Sequence, residues 1–141
     1  MSIKISDRIG DYAFSECGVL TSVIIGNGVT SIGDNAFASC YSLTTVIIGN
    51  NVTILGNYVF SDCNSLTSIT IPEGVTVIGD YAFAQCSSLT KIIIPNGVTS
   101  IGENAFVNCG LLTSITIPDG VTYIEDGTFW GCNSLKDIAI P

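Results

Sequence analysis

Leu66-Thr67-Ser68-Ile69-Thr70-Ile71-Pro72-Glu73-Gly74-Val75-Thr76-Val77-Ile78-Gly79-Asp80-Tyr81-Ala82-Phe83-Ala84-Gln85-Cys86 is followed by Ser87-Ser88 and then by Leu89, where the same pattern begins again. From Ile69 the stretch alternates apolar and polar residues, which predicts a strand. Pro72 has no N–H to give to a ladder and ends it. Pro72-Glu73-Gly74 predicts a turn, and Val75-Thr76-Val77-Ile78 a second, shorter extended piece. Gly79-Asp80 turns the chain again. Tyr81 to Cys86 has room for one helical or 3₁₀ turn at most. A unit this short cannot bury its own apolar face, but stacked copies can.

The copies run the length of the chain. Phe recurs at 14, 37, 60, 83, 106 and 129, Cys at 17, 40, 63, 86, 109 and 132, and Leu at 20, 43, 66, 89, 112 and 135, always 23 apart. Val23, Val46, Ile69, Ile92, Ile115 and Ile138 keep the step, as do Ile25, Ile48, Ile71, Ile94, Ile117 and Ile140. Ile9, Ile32, Leu55, Ile78, Ile101 and Ile124 form a column through the other half of the unit. The expectation is one solenoid domain over residues 1–141, with six 23-residue units. Ile3-Lys4-Ile5 reaches Ile9 in fewer steps than Ile25 reaches Ile32, so the first unit, about residues 1–19, is read as truncated or rewired. The last unit stops after its strand at Pro141.

The pattern Leu-x-x-Ile-x-Ile-Pro-x-x-Val-x-x-Ile-Gly-x-x-Ala-Phe-x-x-Cys, carried by Leu66 to Cys86 and Leu89 to Cys109, resembles the BspA-like (Treponema pallidum-type) leucine-rich repeat. The resemblance implies an α/β leucine-rich-repeat solenoid. It would be curved and right-handed, with a parallel sheet on the concave face, and mostly β with short 3₁₀ or helical turns. It also implies a surface or secreted protein that binds other proteins, in the manner of an adhesion or recognition module. A repeat family defines a scaffold and not a ligand.

Composition narrows the chemistry. Of the 141 residues 47% are hydrophobic and only 11% charged, which excludes intrinsic disorder. Twelve acids against four bases leave a net charge of −8, which argues against nucleic acid and anionic membranes as partners. No apolar run approaches the ~20 residues of a membrane span, so membrane insertion is not expected. The first eight residues lack the apolar core of a signal peptide. There is no His, which removes the commonest general base and metal ligand. The column Asp11, Asp34, Asn57, Asp80, Glu103, Asp126 carries an acid in every unit except that of Asn57, so none stands apart as catalytic. No enzyme and no cofactor are expected.

Two ladders invite other readings. Equivalent cysteines in a solenoid lie about 4.8 Å apart, but their Cβ vectors run parallel, which is poor disulfide geometry. Buried free thiols are expected. The acid column could hold Ca²⁺ between units; the simpler expectation is local backbone capping ahead of the Ala-Phe turn. Asn51 stands where Gly28, Gly74, Gly97 and Gly120 stand. It is read as a Gly substitute at positive φ, although Asn51-Val52-Thr53 is also a glycosylation sequon. Gly26 and Gly49 replace the later Pro72, Pro95, Pro118 and Pro141 and predict looser turns. Trp130, at a position held elsewhere by small residues and Val107, is read as a plug at the last unit, or as a binding aromatic.

The remaining candidate is a surface. In each strand the first, fourth and sixth places are expected inside, and the third and fifth outside. The fifth-place column is Ile24, Ile47, Thr70, Ile93, Thr116 and Ala139, and the third is Ser22, Thr45, Ser68, Lys91, Ser114 and Asp137. Exposed Ile24 beside Ile47 would form an apolar patch. Ile24, Ile47, Thr70, Lys91, Ile93 and Thr116 are therefore the candidate protein-binding residues, for a protein partner whose identity the sequence does not name. End-to-end association of copies is a further expectation, because Leu135, Ile138 and Ile140 lie in the last unit. The alternative function is structural: a spacer, natural or engineered, within a longer or self-assembling array.

Overall fold

Every strand pairing in the computed structural model, which describes residues 7–141, joins residues 23 apart. The chain therefore coils once per unit and stacks each coil on the one before. The expected rewiring at Ile3-Lys4-Ile5 lies outside the described residues.

Two strand faces result. The first carries β2 (Ser22–Ile25), β4 (Thr45–Ile48), β6 (Ser68–Thr70), β8 (Lys91–Ile93), β10 (Ser114–Thr116) and β11 (Asp137–Ala139). The second carries β1 (Arg8–Ile9), β3 (Ser31–Ile32), β5 (Ile54–Leu55), β7 (Val77–Ile78) and β9 (Ser100–Ile101). All pairings are parallel. The second face is one sheet in the order β1-β3-β5-β7-β9, whereas the first divides into the pairs β2-β4, β6-β8 and β10-β11. Proline shapes this face. In the units with Gly26 and Gly49 the strand has four residues, and in those with proline it has three, because proline has no N–H to continue the ladder. Gly49 packs closely on the unit before it, since a Cβ built there would lie 2.6 Å from the Gly26 carbonyl oxygen, whereas one built on Gly26 meets nothing within 4 Å.

The α/β description needs correction, because none of the described residues is helical. The segment expected to hold a helical turn, Tyr81 to Cys86, instead alternates the direction of its amides. The N–H groups of Ala82, Ala84 and Cys86 bond three residues back within the turn, whereas those of Tyr81, Phe83 and Gln85 donate to Glu103, Ala105 and Val107 of the next unit. A helix needs consecutive amides to bond along its own axis, so every donation across the stack removes one. The alternation forces two left-handed residues per unit, Tyr81 (φ 54) and Gln85 (φ 60), with equivalents from Tyr12 and Glu16 to Gly127 and Gly131.

The core is a set of columns. Leu66, Ile69 and Ile71 are buried together with Val75, Ile78 and Phe83, and the same places are buried in the neighbouring units. Phe14, Phe37, Phe60, Phe83, Phe106 and Phe129 stack with ring centroids 5.3 to 5.7 Å apart, the offset arrangement that adds to plain burial.

Candidate functional site

The alternation of each first-face strand decides what reaches its surface. Val46 and Ile48 point into the core and Thr45 and Ile47 outward, and the same holds for Ile69 between Ser68 and Thr70. The candidate residues therefore share one face. Ile24 is 78% exposed, Ile47 54% and Ile93 64%. Thr70, Lys91 and Thr116 are exposed as well.

Register brings some of them together. Ile24 pairs with Ile47, so two exposed β-branched side chains lie side by side. Thr70 pairs with Ile93 and Ser68 with Lys91. Thr116 pairs with Ala139 at the far end. Thr70 separates Ile93 from the Ile24–Ile47 pair, so the apolar ladder is interrupted. A shallow groove of about 320 Å³ runs between β6 and β8, lined by Ser68, Thr70, Glu73, Lys91, Ile93 and Pro95. Glu73 and Pro95 are additions that strand alternation could not supply, because both lie in the turns beyond the strands.

Four of the six cysteines, Cys40, Cys63, Cys86 and Cys109, are buried as expected, and Cys17 and Cys132, in the first and last units, are only half-buried. All six are free. Each thiol from Cys40 to Cys132 donates to a Phe carbonyl of the preceding unit at 3.2 to 3.3 Å. Burial pushes Cys63 and Cys109 up to about 12 and Cys86 well above its ordinary value, because a thiolate would lose its hydration there. Such thiols are hydrogen-bond donors and not nucleophiles.

The acid column is a correction in mechanism. The side chains do not cap their own turns. Asp11, Asp34, Asn57 and Asp80 each accept the N–H of the equivalent residue one unit on, at 2.8 to 2.9 Å. Asp and Asn serve equally because each offers a carbonyl-type Oδ1 at the same reach. Asn51 is also corrected: neither it nor Gly74, Gly97 and Gly120 has positive φ. Glycine suits that place because a Cβ would sit 3.1 to 3.2 Å from a carbonyl oxygen of the previous unit. Asn51 turns the proximity to use by donating from Nδ2 to the Asn27 carbonyl at 2.7 Å. Trp130 is 68% exposed, so it does not act as a buried plug.

One feature escaped the sequence reading. Tyr58 and Tyr81 stack at 4.7 Å with planes 2° apart, on the turn side. The same 23-residue step that aligns the phenylalanines relates them, and that was the available signal.

Known proteins share this arrangement. The pattern described as a BspA type leucine rich repeat region matches residues 7–136 in six copies. A leucine-rich-repeat protein of T. pallidum superimposes with a TM-score of 0.92 at 33% identity, over 94% of this chain and 62% of that one. One from Bacteroides ovatus gives a TM-score of 0.71 at 34% identity, over 95% of this chain and 41% of that one. A leucine-rich cell surface protein of Faecalibacterium prausnitzii gives 0.62 at 34% identity, over 94% of this chain and 29% of that one. This chain thus spans less than two-thirds of each relative's length. No curated protein matches it.

Proposed function

The chain belongs to the BspA-type leucine-rich-repeat family, and from that premise we propose that it is a non-catalytic protein-binding solenoid whose partner contacts the first strand face. The observation that carries the reading is the in-register pair Ile24 and Ile47, 78% and 54% exposed on neighbouring strands. Paired exposed isoleucines are a cost in water and a gain against an apolar partner surface. Thr70, Ile93 and Thr116 extend the contact along the stack. Lys91, a cation on a chain of net charge −8, offers an acidic group of the partner its complement. The similarity to a cell surface protein of Faecalibacterium prausnitzii supports placement at a cell surface.

The test is binding by the intact protein and by Ile24→Lys with Ile47→Lys. The double variant is expected to lose binding while its circular dichroism spectrum stays unchanged. Equal affinity of the two proteins would move the contact to the turns or to the second face. Absence of any partner for the unaltered protein on the producing cell or its targets would favour the spacer reading.

A further inference from the structure

The second-face segment of the sixth unit does not join the sheet formed by the five units before it. In the third to fifth units the second-face segment is tied to its predecessor by a repeated set of amide bonds. Thr53, Thr76 and Thr99 donate to Thr30, Thr53 and Thr76, and Gly56, Gly79 and Gly102 donate to Ile32, Leu55 and Ile78, all at 2.8 to 3.0 Å. Among the described residues no such bond joins Thr122 to Thr99 or Glu125 to Ile101. Tyr123 and Ile124 form no strand, and Ile124 is 36% exposed where Leu55 and Ile78 are fully buried.

The rest of the sixth unit is docked. On the first face β11 pairs with β10. On the turn side Asn104, Phe106 and Asn108 donate to Asp126, Thr128 and Trp130. The amides of Thr122–Glu125 make no bond to the fifth unit; the segment lies between Val121, which is buried, and Asp126, whose carbonyl accepts from Asn104.

The place of Glu125 is glycine in every earlier unit, at Gly10, Gly33, Gly56, Gly79 and Gly102. In the stacked units that place has no room. A Cβ built on Gly56 would lie 2.7 Å from the Asp34 nitrogen, and one on Gly79 2.6 Å from the Asn57 nitrogen. Those obstacles are backbone atoms and cannot swing away. Glu103 adds a second defect, since it replaces the Asp or Asn whose Oδ1 accepts the next unit's amide, and its carboxylate accepts from the Asn104 side chain instead.

We propose that Glu125 is a steric wedge: its Cβ holds Thr122–Glu125 off β9 as a strap hinged at Val121 and Asp126, an open state denied to the units before it. The strap forms one wall of an open depression of about 430 Å³, lined also by Ile117, Asp119, Val121 and Ile140. It leaves the Thr99 and Ile101 carbonyls at the outer edge of β9 without the amides that their equivalents receive. The sixth unit is thus the part of the second face with conformational freedom, and that freedom is set by one carbon atom.

Amide hydrogen exchange on the full chain tests this, followed by NMR. In the unaltered protein the amides of Ile124 and Glu125 are expected to exchange freely, with those of Ile78 and Gly79 strongly protected. Glu125→Gly removes the Cβ and is expected to slow exchange at residue 125 by about tenfold or more as the strap closes. Glu125→Ala keeps the Cβ, removes the charge, and is expected to exchange as the unaltered protein does. Glu103→Asp restores the acceptor for Asp126 and is expected to leave residue 125 unprotected. Protection of residue 125 in the unaltered protein, equal protection in the Gly and Ala variants, no protection in the Gly variant, or protection by Glu103→Asp alone would each overturn the wedge.

Discussion

Phe83 lies at the middle of a six-ring column and is fully buried between Phe60 and Phe106. Phe83→Ala removes contacts to both neighbours and leaves a cavity that two rigid coils cannot collapse. Urea unfolding should report a loss of about 3–5 kcal/mol, and a loss below about 1 kcal/mol would place Phe83 outside the core. The thiols set a pH dependence. Burial raises Cys63, Cys86 and Cys109 above the ordinary thiol value of 9.0. Below that value both folded and unfolded chains hold the proton, and the thiols' contribution is fully present. As pH rises past it the unfolded chain releases protons that the folded chain keeps, so stability falls from about pH 9 toward 12. Each such thiol removes up to about 1.4 kcal/mol per pH unit. Unfolding midpoints that stay flat between pH 8 and 10 would contradict the burial. Thiol titration without reductant should find six groups after denaturation and few before, Cys17 and Cys132 being the half-buried ones that react first.

At the scale of elements, the short second-face strands depend on glycine for approach more than for flexibility. A Cβ at Gly79 would press on the Asn57 nitrogen at 2.6 Å, whereas one at Gly26 meets nothing within 4 Å. Gly79→Ala should therefore cost about 1–3 kcal/mol through forced separation of two coils. Gly26→Ala should be neutral or slightly stabilising, because it only restricts the unfolded chain. Paired thermal melts distinguish the two, and equal losses would remove close packing as the reason for the glycine column. The Asp/Asn ladder works at the same scale. Asp80→Ala deletes the acceptor of the Glu103 amide and should cost about 1 kcal/mol, and Asp80→Asn should cost almost nothing.

The whole molecule is quasi-one-dimensional, since each unit touches only its neighbours. Stability should fall from the centre outward. Phe14 is 46% exposed and Phe83 fully buried, so Phe14→Ala should cost less than half of what Phe83→Ala does, in the same urea titration. Equal costs would mean that the first unit is covered as completely as the fourth. The first strand face keeps Ile24, Ile47 and Ile93 exposed along the stack. The second face is closed by glycine contacts up to the fifth unit and open at the sixth.

The sequence by itself determined the period, the columns and the inward places, because stacking repeats them and a 23-residue step aligns like with like. Leu66, Ile69, Ile71 and Phe83 were legible as core for that reason, and Ile24 beside Ile47 as exposed neighbours. What only the tertiary structure decided is where each unit spends its hydrogen bonds. The turn from Tyr81 to Cys86 is short enough for a helical turn by any local rule, yet its alternate amides go to the next coil and none of the described residues is helical. Asp80 has the local signature of a cap, yet its Oδ1 serves Glu103 in the following unit. Gly74 looks like a residue chosen for φ, yet it is chosen for room. A bond across the stack depends on which backbone lies against which, and that distance does not exist until the coils have closed on one another.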